Sequence, residues 1–185
     1  MEDPPAHHRR SIRLPGYDYT QAGSYFITIV THHRECIFGE VMAGEMRLSR
    51  LGEIAEEEWF RTPVLRPYVV VHPEGFVVMP NHVHGILWIV ELDDDPGRGA
   101  ASLRPYSGEI LKPTNVIPGS LGAIIRGYKS AVTNRINKLR YTPGTHIWQR
   151  NYYEHILRNS ADLEAIASYI RANPVAWTHD REYPL

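Results

Sequence analysis

An α+β sandwich, an antiparallel sheet with helices packed on one face, is the fold class that three features of this sequence predict. Short runs rich in β-branched and aromatic residues, such as "SYFITIVTHH" at 24–33, read as strands. Segments with apolar residues at helical spacing lie between and after them. Their order is strand, hairpin, helix, two strands, helix, strand, helix, which matches a ferredoxin-like (RRM-like) sandwich.

Each element has a local reason. In "CIFGEVMAGEMRLS", glycines between short apolar stretches predict a hairpin. "SRLGEIAEEEWF" then puts Leu51, Ile54, Ala55 and Trp59 on one helical face behind a Ser49 cap. Strands follow over about 68–79 and 82–91, parted by the Pro80-Asn81 turn signal. In "SLGAIIRGYKSAVTNRINKL" a second helix spaces Leu121, Ile124, Ile125, Tyr128, Val132 and Leu139. "HIWQRNYYEHILRN" reads as a strand, and "SADLEAIASYIRANP" as a last helix capped by Ser160 and stopped by Pro174.

The 185 residues make one domain with a real core. Residues 1–22 lack hydrophobic periodicity and read as a leader, 23–177 as the domain, and 178–185 as a short tail. Within the domain, 92–119 is dense in proline, glycine and aspartate and reads as a long loop. No internal repeat is visible, and no apolar run is long enough to span a membrane. A single cysteine, Cys36, excludes an internal disulfide and a cysteine-based zinc motif, and the expected setting is cytoplasmic. Net charge is −1, which speaks against coating nucleic acid through bulk positive charge. Locally, however, residues 115–160 hold seven Lys and Arg against Glu154 alone.

The sharpest motif is "MPNHVHGILWI". In a strand, residues i and i+2 share a side, so His82 and His84 project together while Val83 turns away. Two neutral imidazoles held this way can bind one divalent ion. The flanks exclude familiar alternatives: "GILWIV" lacks the further His and Asp of a binuclear hydrolase, and the chain is short for a barrel amidohydrolase. A third ligand must come from elsewhere. On the last helix Tyr169 and Asn173 stand i and i+4, hence on one side, beside an apolar stripe of Leu163, Ile166, Ala167 and Ile170.

Together, "MPNHVHGILWI", "SLGAIIRGYKSAVTNRIN", "IWQRNYYEHILRN" and "YIRANPVAW" resemble the REP-associated tyrosine transposases of the single-tyrosine HUH superfamily, from about Arg13 to Trp177. The resemblance implies that His82 and His84 are the paired metal ligands, Tyr169 the nucleophile and Asn173 a further ligand. It implies a metal-dependent endonuclease and strand transferase for single-stranded DNA at palindromic hairpins, working through a 5′-phosphotyrosine. The implied cation is Mg2+ or Mn2+, although imidazole ligation alone would suit zinc or another transition metal. No nucleotide cofactor is expected, since the chain has no G-x-x-x-x-G-K-[ST] loop.

Tyr152 and Tyr153 are rival nucleophiles; in a strand they face opposite sides, so only one could approach the histidines. For DNA phosphates the second helix offers Arg126, Lys129, Arg135 and Lys138. Trp148, Arg150, Tyr152 and Tyr153 mix aromatics with charge as single-strand binders do. The alternative function is a catalytically silent hairpin-binding protein, for DNA or RNA, on the same fold. A water-using phosphodiesterase is a third reading. The protein is expected to act as a monomer or homodimer, with no membrane partner.

Overall fold

The structure, a computed structural model, describes residues 16–91 and 117–183. Nearly all of the 92–119 loop and most of the 1–22 leader therefore lie outside the described residues. Strand β1 is Gly23–Val30, followed by the hairpin β2 Gly39–Met42 and β3 Glu45–Leu48. Helix α1 is Arg50–Leu65, then β4 Val69–Met79 and β5 His82–Ile89. Helix α2 is Leu121–Arg140, then β6 Tyr153–Leu157 and α3 Ser160–Ala172.

β4, β5, β1 and β6 form one antiparallel sheet in that order, and β2–β3 stands apart as a two-stranded ribbon. Helix α1 connects the β1 side to β4, and α2 connects β5 to β6, which is the ferredoxin-like path. Strand alternation divides the sheet into two faces. Tyr25, Ile27 and Ile29 of β1, with Val83, Leu87 and Ile89 of β5, join the large core under α1 and α2. Phe26, Ile86 and Leu157 face the other way and pack with Ile170 of α3.

Here the structure refines the expected layering. Helices α1 and α2 share a face, but α3 docks on the opposite one through Leu163, Ile166, Ala167 and Ile170. The histidines, at even positions of β5, face α3.

Four local readings also change. β1 ends at Val30: the Thr31 amide still donates to the Asn81 carbonyl in the β1–β5 register, but the His32 amide turns to the Ile147 carbonyl. His33 and Arg34 then adopt left-handed φ values of 54° and 59°. In 146–159 only Tyr153–Leu157 is a strand, with an isolated bridge from Trp148 to Thr31. The α3 cap is Asn159, whose side-chain oxygen accepts from the Asp162 amide at 2.8 Å, not Ser160. Leu139 falls outside the buried stripe of α2 and is 48% exposed. In the leader, Tyr17 and Tyr19 pack their rings against each other and against Tyr25.

Gly85 has a packing reason that bears on the site. Trp59 of α1 lies flat against the sheet, its ring stacked on Phe76 at 4.8 Å, and it occupies the space beside Gly85. A Cβ at residue 85 would stand 2.6 Å from Trp59 Cη2. Trp59 thus pins β5 between the two histidine-bearing positions and the core. Gly85→Ala should cost about 1–3 kcal/mol by overpacking, read as a lowered denaturant midpoint; an unchanged midpoint would show that Trp59 yields freely.

Candidate active site

The Pro80-Asn81 turn sets the first imidazole. Asn81 is fully buried, and its Nδ2 donates to the Arg34 carbonyl at 3.2 Å and the Glu182 carbonyl at 2.7 Å. Two carbonyl acceptors fix that end of the amide as the NH2 group. Its Oδ1 therefore faces His82 Nδ1, 2.8 Å away, and an amide oxygen can only accept. His82 must carry its proton on Nδ1, leaving a bare lone pair on Nε2. Across the β1–β5 ladder Thr28 stands opposite His84, with its hydroxyl 2.9 Å from His84 Nδ1.

The two Nε2 atoms lie 2.9 Å apart. With the His82 lone pair committed, that approach needs a proton or a cation between the rings. Burial pushes both imidazoles toward neutrality. His82 is pulled down to about 4, against the opposing pull of the Asp180 charge, and His84 lies well below the ordinary histidine range, with His82 adding to the effect. Neutral imidazole is the form that ligates metals.

Helix α3 and the segment after it close the site. The Tyr169 hydroxyl is 3.1 Å from His84 Nε2 and donates to Asp180 Oδ2 at 3.1 Å. Asn173 Nδ2 donates to the same Asp180 oxygen at 2.8 Å, and the Glu182 amide donates to Asp180 Oδ1 at 2.6 Å. Burial raises the Tyr169 pKa above the ordinary phenol value, and the Asp180 charge raises it further. Among the described residues, His82, His84 and Asp180 are the one group of three such side chains with ligand atoms within 4.8 Å of one another. Asn173 is 1% exposed, and its Oδ1 has no hydrogen-bond donor among the described residues. Two facing imidazole nitrogens and a carboxylate fit a divalent cation, and Asn173 meets this cluster through its amide nitrogen on Asp180.

A cleft of about 450 Å³ opens beside this cluster, lined by Phe26, Thr28, His84, Tyr153, Tyr169 and Asp180 among others. Tyr153 pairs with Thr28 across the ladder, so it shares the histidine face; its ring meets Phe26 edge-on at 6.2 Å. Tyr152 also lines the cleft and is half-buried against the main core. Of the three tyrosines considered from sequence, Tyr169 has its hydroxyl 3.1 Å from an imidazole nitrogen. Arg34 closes one rim, paired with Glu182 at 3.1 Å and donating to the Arg181 carbonyl at 3.1 Å.

The sequence-selected basic residues fare unevenly. Arg126 and Lys138 are exposed, but they ride on α2, across the sheet from the histidines. Arg135 is held in ion pairs with Glu57 and Glu58 of α1. Lys129 donates to the carbonyls of Gln149, Arg150 and Asn151 at 2.6, 3.2 and 3.5 Å. Burial lowers its pKa to about 8, so it stays largely charged at neutral pH. Its geometry is that of a clamp on this loop. Trp148 is 6% exposed and packs between Phe38 and Tyr128, whereas Arg150 is exposed.

Asp180 was missed by the sequence reading, which placed it in a tail. No periodic spacing links it to the histidines or to Tyr169. Its position depends on the helical turn at Trp177–His179, where buried Trp177 sits 5.8 Å from the His82 ring.

With this geometry in place, comparison with known proteins is informative. A structure of a REP-associated tyrosine transposase bound to a REP hairpin matches with a TM-score of 0.57 and 20% identity, over 89% of this chain and 74% of that one. The chain therefore has a transposase-like α+β fold. A Haemophilus influenzae protein named "Putative REP-associated tyrosine transposase" is 27% identical over 158 residues, 85% of this chain and 73% of that protein. A second H. influenzae protein, described only as uncharacterized, is 38% identical over 177 residues, 96% of this chain and 94% of its own length. The chain belongs to one family with this second protein, and it is similar to REP-associated tyrosine transposases in fold and, at 27% identity, in sequence. No family profile matches the chain.

The buried imidazoles make acid stability a direct readout. The folded state holds His82 neutral down to about pH 4, while an unfolded histidine takes its proton near 6.5. Stability present above pH 6.5 is therefore lost as pH falls toward 4. Thermal melting of metal-free protein should drop across that window, and His82→Gln combined with His84→Gln should flatten the profile. Parallel profiles would contradict burial of neutral rings.

Proposed function

We propose that the protein is a metal-dependent strand transferase for single-stranded DNA at hairpins, acting through a phosphotyrosine formed on Tyr169. The observation that carries this reading is the 3.1 Å approach of the Tyr169 hydroxyl to His84 Nε2, itself 2.9 Å from His82 Nε2. The hairpin-bound structural neighbour and the named relative support DNA as the partner class.

The residues divide the work. His82 and His84, with Asp180 and Asn173, would hold the cation, which when bound would polarise the phosphate and offset charge building in the transition state. Two imidazoles with a carboxylate suit manganese better than magnesium. Asn81 and Thr28 orient the rings through their Nδ1 atoms. Tyr169 Oη attacks phosphorus and the bond to the 3′ oxygen breaks, giving a 5′-phosphotyrosine and a free 3′-hydroxyl. One phosphodiester replaces another, so the step needs no nucleotide hydrolysis. Asp180 Oδ2 already accepts the phenol proton in a hydrogen bond and is placed to receive it. The cleft offers Tyr153 and Phe26 as apolar surface for an unpaired base beside the phosphate.

The test is incubation of labelled hairpin DNA with protein and Mn2+ or Mg2+, followed by a denaturing gel. A covalent protein–DNA band is expected, lost in Tyr169→Phe and on chelation of the metal. Cleavage that survives Tyr169→Phe would instead indicate attack by water, and binding without cleavage under any metal would indicate a silent binding protein. His82→Ala or His84→Ala should abolish the band and leave hairpin binding largely intact. Asp180→Ala should raise the manganese concentration needed for half-maximal adduct on the order of 10-fold or more; an unchanged requirement would remove Asp180 from the ligand set.

A further inference from the structure

The transferase reading leaves α2 unexplained, because its basic residues lie across the sheet from Tyr169. A second cavity bridges the two sides. A groove of about 260 Å³ runs between α2 and the 146–150 segment, and Gln149 lines both it and the catalytic cleft. The Gln149 amide is bound to the Val30 carbonyl at 2.9 Å, and Lys129 holds the next carbonyls, so this shared ridge is fixed from both sides.

The groove has one kind of chemistry. Arg150 brings an exposed guanidinium and His146 an imidazole, Ser130, Thr133 and Asn134 bring hydroxyls and an amide, and none of its described lining residues is acidic, while the Lys129 ammonium is engaged by the loop carbonyls. Trp148 also lines it, and the indole N–H of this 6% exposed residue has no acceptor among the described residues. A guanidinium with neutral donors and no carboxylate selects an anion with several oxygens.

We infer that this groove is a second nucleic-acid subsite, binding backbone phosphate of the single strand that continues from the catalytic cleft over the Gln149 ridge to α2. The inference rests on the transferase reading for the identity of the strand, while the groove's preference for phosphate stands on its own lining. It confines the strand's path on α2 to the side carrying Lys129, Ser130, Thr133 and Asn134. Arg126 and Lys138 line neither cavity, and Arg135 is neutralised by α1.

The test uses the full chain and fluorescent DNA: a hairpin with a long single-stranded extension, and the same hairpin with the extension trimmed away. Binding is followed by anisotropy over a range of salt concentrations. Wild type should bind the extended hairpin more tightly and with a steeper salt dependence. Thr133→Asp with Asn134→Asp should weaken binding of the extended hairpin about tenfold and lower its salt slope by about one for each phosphate the groove no longer holds. Binding of the trimmed hairpin should not change. Thr133→Lys should shift the extended hairpin the opposite way, which keeps the test decisive if the acidic variant folds poorly. Equal effects on both hairpins, or no effect of either substitution, would overturn the inference. Absence of a covalent adduct in wild type would count against the transferase reading alone, since the groove is judged here by binding.

Discussion

The approach of two imidazole nitrogens on one strand, fixed by hydrogen bonds behind them, is the constraint on which the rest of the site depends. His82 has its tautomer set by Asn81, and Asn81 has its amide orientation set by two backbone carbonyls. His84 is backed by Thr28 on the neighbouring strand. Both rings are buried, so the short contact between their Nε2 atoms is held away from solvent, with a proton or a cation between them. A protein interior tolerates such crowding where something shared occupies the gap. The same strand must also supply Val83, Leu87 and Ile89 to the core on its other face, so the ligand pair cannot slip in register without exposing that core.

The two-faced sheet explains how the site is assembled from distant segments. One face carries the large core under α1 and α2 and supplies rigidity, with Trp59 pressed against Gly85 directly behind the histidines. The other face carries a thinner cluster under α3, whose apolar stripe brings Tyr169 to His84 while leaving that side chain 41% exposed to the cleft. The segment after α3 then folds back over the rings, and Arg34, Asn81 and Glu182 tie it down. Asp180 reaches the cluster by this return path, not from the sheet or the helix. The site therefore combines two ligands fixed on a central strand with a carboxylate held from outside the sheet by Tyr169, Asn173 and the Glu182 amide.

Much of this was legible in the sequence because it follows from short-range rules. Period-two alternation put His82 and His84 on one face, and helical spacing put Tyr169 beside Asn173. The strand and helix order gave the sandwich, and Ser49 caps α1 through its hydroxyl as expected. What could not be read was set by tertiary packing. Whether α3 shares a face with α1 and α2 depends on which side of the sheet has room for its stripe. Asn159 displaces Ser160 as the α3 cap because its backbone is extended there. The basic residues of α2 look alike in sequence, yet Arg135 meets Glu57 and Glu58, Lys129 meets three carbonyls, and Arg126 meets solvent. Asp180, in a stretch without periodicity, had no pattern to mark it.

In the proposed site, His82, His84 and the α3 side of the sheet converge on one divalent cation within reach of the Tyr169 hydroxyl. Anomalous scattering from crystals grown with Mn2+ tests that convergence most directly. The expected result is a single manganese peak ligated by Nε2 of both histidines and by Asp180, with the phenol oxygen facing it. A peak on any other set of residues, or none between the rings at saturating manganese, would contradict it.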